Sequence, residues 1–292
     1  MGLSPPAFLR AGAFELSLAQ PLVMGIVNIT PDSFSDGGRY LEPRRAIELA
    51  QRLAGEGADL LDLGAESTRP GAQPVSAAEE LDRLLPVLEG VQALGKPVSV
   101  DTMKPAVMRA ALAGGAAMIN DVRALREPEA LEALSASSAA VCLMHMQGEP
   151  RTMQADPQYT DVIAEVRRFL CDRAAECLRA GIDRERIVID PGFGFGKGVR
   201  HNMLLLGALD TLTGSGFTVL AGLSRKSTLG HITGRAAGER TAASVAAALI
   251  AAQRGAKILR VHEVAETKDA LAVWEAVQAA QRGEEPPVRR AV

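Results

Sequence analysis

The sequence predicts a single α/β domain, a (β/α)8 barrel of the TIM type, on three observations. Eight short apolar runs recur along the chain, helical patterns fill most of the gaps between them, and nearly every run ends in a hydrogen-bonding or ionisable residue. The runs lie at 22–28, 60–64, 97–101, 118–121, 141–145, 187–190, 218–222 and 258–261. Their brevity and near-continuous apolarity suit parallel strands buried on both faces. Their polar ends are Asn28, Asp62, Asp101, Asn120, His145 and Asp190, with Arg260 and His262 closing the series. An open doubly wound sheet also alternates strands with helices, but it concentrates its site at one switch point. A ring of polar ends describes the mouth of a closed barrel.

The connecting helices carry their own punctuation. A weak internal repeat, a helix ending in glycine followed by a small or apolar residue and then a strand, occurs at Gly57-Ala58, Gly115-Ala116, Gly181-Ile182 and Gly255-Ala256. Glycine there suits the left-handed position that ends a helix. Ser76 and Glu79 have capping-box spacing, and Pro43 and Pro105 suit first helical turns. The apolar stretch 242–252 predicts a small-residue helix packed inside the protein or at a subunit contact. No linker or composition shift divides the chain, so residues 1–292 read as one domain with its barrel core at about 22–281. The Pro-containing start and the tail 282–292, with Pro286 and Pro287, are expected to be poorly ordered.

Composition narrows the function classes. With 47% apolar residues, 23% charged residues and a net charge of −3, nothing draws the chain to nucleic acid. The longest apolar stretch, 242–252, is interrupted by Ser244 and too short to span a bilayer, and residues 1–10 lack the pattern of a signal peptide. Cys142, Cys171 and Cys177 are odd in number and without CxxC spacing, which favours a reduced, cytoplasmic protein over a disulfide framework or a zinc site.

The loops beyond the strands hold the chemistry. The segment 28–38 is dense in side-chain oxygens and glycines and reads either as a capped turn or as a loop that orders around a metal-bound diphosphate. Arg69, among the hydroxyls of 66–71, suits a carboxylate partner or a solvated loop position. Asp101, Asn120 and Asp190 fall on buried strands, where an isolated carboxylate needs a partner. Lys226 is one candidate, as a structural ion pair or as part of a set matching a guanine-like ring edge with its N–H donors and carbonyl acceptor. Arg260 and His262 alternate onto one side of the last strand and suggest an anion site, with a salt bridge to Glu263 or Glu266 as the bland alternative. The run 190–197 fits neither the P-loop nor the GxGxxG spacing, and reads as a flexible loop whose Phe193 or Phe195 covers an aromatic ligand. His201 and His231 read as surface residues.

In order, the segments 24–38, 66–71, 99–102, 190–192, 224–227 and 260–262 closely resemble the dihydropteroate synthase family. The resemblance spans about 22–281 and implies condensation of 6-hydroxymethyl-7,8-dihydropterin diphosphate with 4-aminobenzoate to 7,8-dihydropteroate and pyrophosphate. It implies that Asp101, Asn120, Asp190 and Lys226 hold the pterin, with Met144 lining the pocket. Asn28 would ligate Mg2+ on the diphosphate, assisted by Arg260 and His262. Thr68, Arg69, Phe195 and Ser227 would form the aminobenzoate site, Ser227 lying near a helix start. Asp101, Lys226 and Arg260 are the implied catalytic residues, and a homodimer is the implied assembly. A pterin methyltransferase barrel would not need the diphosphate loop or the Ser224-Arg225-Lys226-Ser227 segment, and a non-catalytic paralogue would be expected to lose Asn28, Arg69 or Lys226.

Overall fold

A computed structural model describes residues 6–29, 42–67, 73–149 and 152–287. Among these residues there are ten strands. Two form an N-terminal hairpin, β1 (Phe8–Ala11) and β2 (Phe14–Ser17). The other eight are β3 (Leu22–Asn28), β4 (Leu60–Gly64), β5 (Val98–Asp101), β6 (Met118–Asp121), β7 (Ala140–Met144), β8 (Ile187–Asp190), β9 (Thr218–Ala221) and β10 (Ile258–Val261). They close into a barrel in chain order, each parallel to its neighbours, with β10 returning to β3. Each predicted strand is therefore found within a residue of its predicted bounds.

Helices α1 (Glu42–Gly55), α2 (Ala77–Val91), α3 (Pro105–Ala113), α4 (Pro128–Ser135) and α5 (Val162–Arg179) join β3 through β8. Two helices, α6 (Val199–Gly207) and α7 (Asp210–Thr213), lie between β8 and β9. Two more, α8 (Ser227–Thr233) and α9 (Thr241–Gln253), lead to β10, and α10 (Val264–Gln281) follows it. Ser76 caps α2 by accepting from Glu79 N at 3.2 Å, and Pro105 opens α3 as predicted. Gly57, Gly115, Gly181 and Gly255 all have left-handed backbones, φ between 86° and 98°, where any other residue would be strained.

The two-residue period of the strands sorts the core into two compartments. Outward residues such as Val27, Leu61, Val100, Ile119, Leu143, Ile189 and Val219 pack beneath the helices in the main core. Inward residues at the N-terminal end, among them Met24, Leu60, Met118, Cys142, Val188 and Ile258, form a second core inside the barrel. That interior is plugged by the hairpin, whose Leu9 and Ala11, with Leu18, are buried against it. Residues 8–18 are thus built into the barrel floor. Strands of four residues carry too little alternation to announce themselves.

With the bottom sealed by apolar side chains, inward residues at the C-terminal ends are free to be polar. All three cysteines are free thiols, and burial raises the pKa of each, which disfavours the reactive thiolate. Among the described residues no helix is long and apolar enough to cross a membrane.

Candidate active site

Register brings the predicted residues together. Asn28 pairs with Gly64, Gly64 with Asp101, and Asp101 with Asn120, so four adjacent strands present one row at the mouth. Across the barrel Met144 aligns with Asp190. These side chains line a cavity of about 670 Å³ together with Phe195, Lys226, Ser227, Arg260 and His262. Every predicted site residue within the described segments is in this set. Thr68, Arg69 and the loop 30–38 lie outside the described residues, although Glu66 and Ser67 reach the cavity wall.

One side of the cavity is apolar. Met144 clusters with Val122, Met146 and Met153, and Met103 and Phe195 pack against them, which suits the face of a flat ring. The polar side is charged. Arg260 donates from Nε to Asp62 Oδ2 at 2.6 Å and from Nη2 to Asp101 Oδ2 at 2.9 Å. This guanidinium is therefore first the counter-charge of buried Asp62 and of Asp101, whose side chain is 16% exposed. Three of its five N–H groups remain for a ligand. Neither Glu263 nor Glu266 pairs with it among the described residues. Glu263 instead accepts from Arg225 Nε at 2.5 Å and from Ser224 Oγ at 2.8 Å, which holds Arg225 at a left-handed φ of 58°.

Burial sets the titration of the site. It lifts Asp101 to about 7, against the opposing pull of Arg260 and with help from the charge of Asp62. Asp190 is also raised by burial, while Lys226 and the Gly192 N–H, 2.7 Å from Asp190 Oδ1, favour its charged form. Lys226 is lowered to about 8, again by burial first. Its ammonium donates to Phe193 O and lies 4.6 Å from the centre of the Phe195 ring. Asn120 Oδ1 is buried with no partner among the described residues and is available to a donor inside the cavity. Carboxylates, an unpaired amide oxygen and an ammonium around a slot form a recognition edge for a ring that both donates and accepts.

Residues 24–262 match the family model described as pterin binding enzyme. A dihydropteroate synthase of Neisseria meningitidis serogroup B is 53% identical over 275 residues, covering 92% of this chain and 96% of that protein. The chain belongs to the dihydropteroate synthase family. The Escherichia coli K12 dihydropteroate synthase is 48% identical over 274 residues. The dihydropteroate synthase of Xanthomonas albilineans, solved with 4-aminobenzoic acid, superposes with a TM-score of 0.89 at 55% identity over 94% of this chain and 98% of that one. That of Burkholderia cenocepacia, solved with 7,8-dihydropteroate, gives 0.87 at 51% identity, covering 96% and 99%.

Some residues that shape a dihydropteroate synthase site here carried no predicted role. Asp62, two residues before Gly64 on β4, faces inward by period and pairs with Arg260, so its strand position was the available signal. Lys104 bridges Glu66 Oε2 at 2.5 Å and buried Glu80 Oε2 at 2.6 Å, anchoring the start of the second loop from outside the barrel. His145, another strand end, is lowered to about 3 by burial and by Lys197, and is therefore neutral. No spacing marks Lys104 or Lys197.

Proposed function

We propose that this chain condenses 6-hydroxymethyl-7,8-dihydropterin diphosphate with 4-aminobenzoate, yielding 7,8-dihydropteroate and pyrophosphate in folate biosynthesis. The observation that carries the reading is the convergence of Asp101, Asn120, Asp190 and Lys226 on one cavity with an apolar wall, in a member of this family. Asp190 and Asn120 accept from the ring's amino and N–H groups, and Lys226 donates to its carbonyl or ring nitrogen. Phe195 and Ser227 line the side of the cavity assigned to the arylamine, with Thr68 and Arg69 as its carboxylate partners.

The C–N bond forms at the exocyclic methylene as its C–O bond breaks. Pyrophosphate leaves with the bonding pair, and the arylamine nitrogen gives up a proton to solvent. An arylamine is neutral and nucleophilic at pH 7, so no strong side-chain base is needed and the protein acts through orientation and charge. Arg260 and His262 face the leaving diphosphate. Mg2+ fits this arrangement as a substrate-borne ion: among the described residues no cluster of three acidic, His or Cys ligands exists, and the Asn28 amide offers a single hard oxygen donor at the mouth. When bound it would neutralise diphosphate charge. The test is product formation: dihydropteroate, identified by mass, should appear from the two substrates and vanish when either is omitted.

The cavity's titration gives a further expectation. Ionisation of Asp101 as pH rises through about 7 improves acceptance from the ring, while deprotonation of Lys226 above about 8 removes a cation. Pterin affinity by calorimetry should therefore be greatest between these two values. A rise continuing through about pH 9 would exclude the Lys226 ammonium from recognition.

The same reading includes a reduced, cytoplasmic setting, consistent with three free thiols, and a homodimer. Val273 and Val277, four residues apart on α10, are 67% and 48% exposed, and Ile250 on the neighbouring α9 is 43% exposed. Apolar side chains on adjoining helices suit a self-association face. Light scattering at micromolar concentration should give twice the chain mass, and Val273→Glu should shift it to the monomer.

A further inference from the structure

Lys197 has no part in the proposed chemistry, yet it is 2% exposed and makes no ion pair among the described residues. Burial lowers its pKa to about 7 against the pull of the Asp190 charge, so its ammonium form stands only where other groups replace its water. Here they do. Nζ lies 2.9 Å from His145 Nδ1, 3.0 Å from Gly192 O, 3.0 Å from Phe195 O and 3.2 Å from His145 O. The neutral imidazole can accept at Nδ1, so imidazole and carbonyl dipoles together solvate the charge.

The loop 191–197 is unusual in a second respect. Every carbonyl from Gly192 to Gly196 accepts from a side chain: Gly192 and Phe195 from Lys197, Phe193 from Lys226, Gly194 from Gln154, and Gly196 from Tyr159 at 2.8 Å. Gly192, Gly194 and Gly196 are left-handed, and a Cβ at Gly192 would fall 2.0 Å from His145 O. Such a backbone makes few bonds to itself, so side chains hold its shape.

We propose that Lys197 is a positioning residue: its amino group is the internal donor around which this loop folds, and it thereby presents Phe195 to the arylamine and to Lys226. Lys197 reaches both ends of the loop turn, Gly192 and Phe195, whereas its charge acts on Asp190 less than Lys226 and the Gly192 N–H do, and the Asp190 backbone pairs within the barrel. Loss of this donor should therefore affect the arylamine more than the pterin. The functional half of this inference rests on the reaction proposed above.

Two readouts of Lys197→Met separate the possibilities. In hydrogen–deuterium exchange on the ligand-free chain, the loop amides should lose protection while β8 keeps its own, since Gly194 N–H, held by Asn202 Oδ1 at 2.8 Å, and Phe195 N–H depend on the loop's shape. Unchanged loop protection would overturn the proposal whatever the enzyme does. In steady-state kinetics, KM for 4-aminobenzoate should rise about 10-fold with a fall in kcat, and KM for the pterin diphosphate should change less than about 3-fold. Equal changes in both, or none, would overturn the positioning role. If wild-type protein shows no arylamine-dependent turnover, the reaction fails and the exchange result still decides the loop. Should Lys197→Met not fold, Tyr159→Phe removes only the bond to Gly196 O, and the same loop should exchange faster with a smaller rise in arylamine KM; no change in either would count against the cage.

Discussion

Arg260→Ala is expected to lower the unfolding free energy by about 3–5 kcal/mol and to abolish turnover, because it strips the counter-charge from two carboxylates inside the barrel. From sequence, this substitution reads as one that weakens diphosphate binding while sparing the fold. The bonds from Nε to Asp62 and from Nη2 to Asp101 overturn that expectation. The pH dependence separates the two effects. Asp101 already has a raised folded-state pKa, about 7, and without Arg260 it rises further. A carboxyl with a raised folded-state pKa favours the fold fully below its unfolded value, and that contribution is lost as pH rises through the folded value. The variant's instability should therefore be greater near pH 8 than near pH 5.5, measured by urea unfolding at both. A small loss, equal at the two, would mean that the Arg260 pairs contribute little and that its role is confined to the ligand.

Asp190→Asn is expected to weaken pterin binding by about 30-fold or more, on the order of 2 kcal/mol for a charge-assisted hydrogen bond replaced by a neutral one. The size follows from burial: Asp190 is 5% exposed, and its charge is favoured by Lys226 and the Gly192 N–H. Asparagine keeps the shape and can still accept from Gly192 N, so the loop beyond it should persist. Lys226, however, loses the largest influence favouring its protonation, and its pKa should fall below about 8. Calorimetry should show the affinity loss together with an acid shift in the alkaline limb of binding. Undiminished affinity would remove Asp190 from the pterin edge.

The strands and the polar row were legible because both follow from period two. A parallel strand sealed on both faces must be apolar, so a terminal Asn28, Asp101, Asn120 or Asp190 stands out against its own run. Asp62 showed as a polar strand residue, but its partnership with Arg260 did not, since 198 residues separate them in sequence and only barrel closure brings them together. Lys197 was invisible for a related reason. It follows a glycine-alternating loop, and its partners are three backbone carbonyls, which no side-chain pattern records, and the His145 ring, 52 residues away in sequence. The hairpin 8–17 escaped because its apolar residues find their complement only at the open bottom of a barrel.

The most direct measurement is pyrophosphate release from the dihydropterin diphosphate, with and without 4-aminobenzoate and with and without Mg2+. Release that requires both, in step with dihydropteroate, is the expected result. If the pterin binds but release is absent or indifferent to the arylamine, the barrel and its pterin pocket stand while the condensation assigned to them is contradicted.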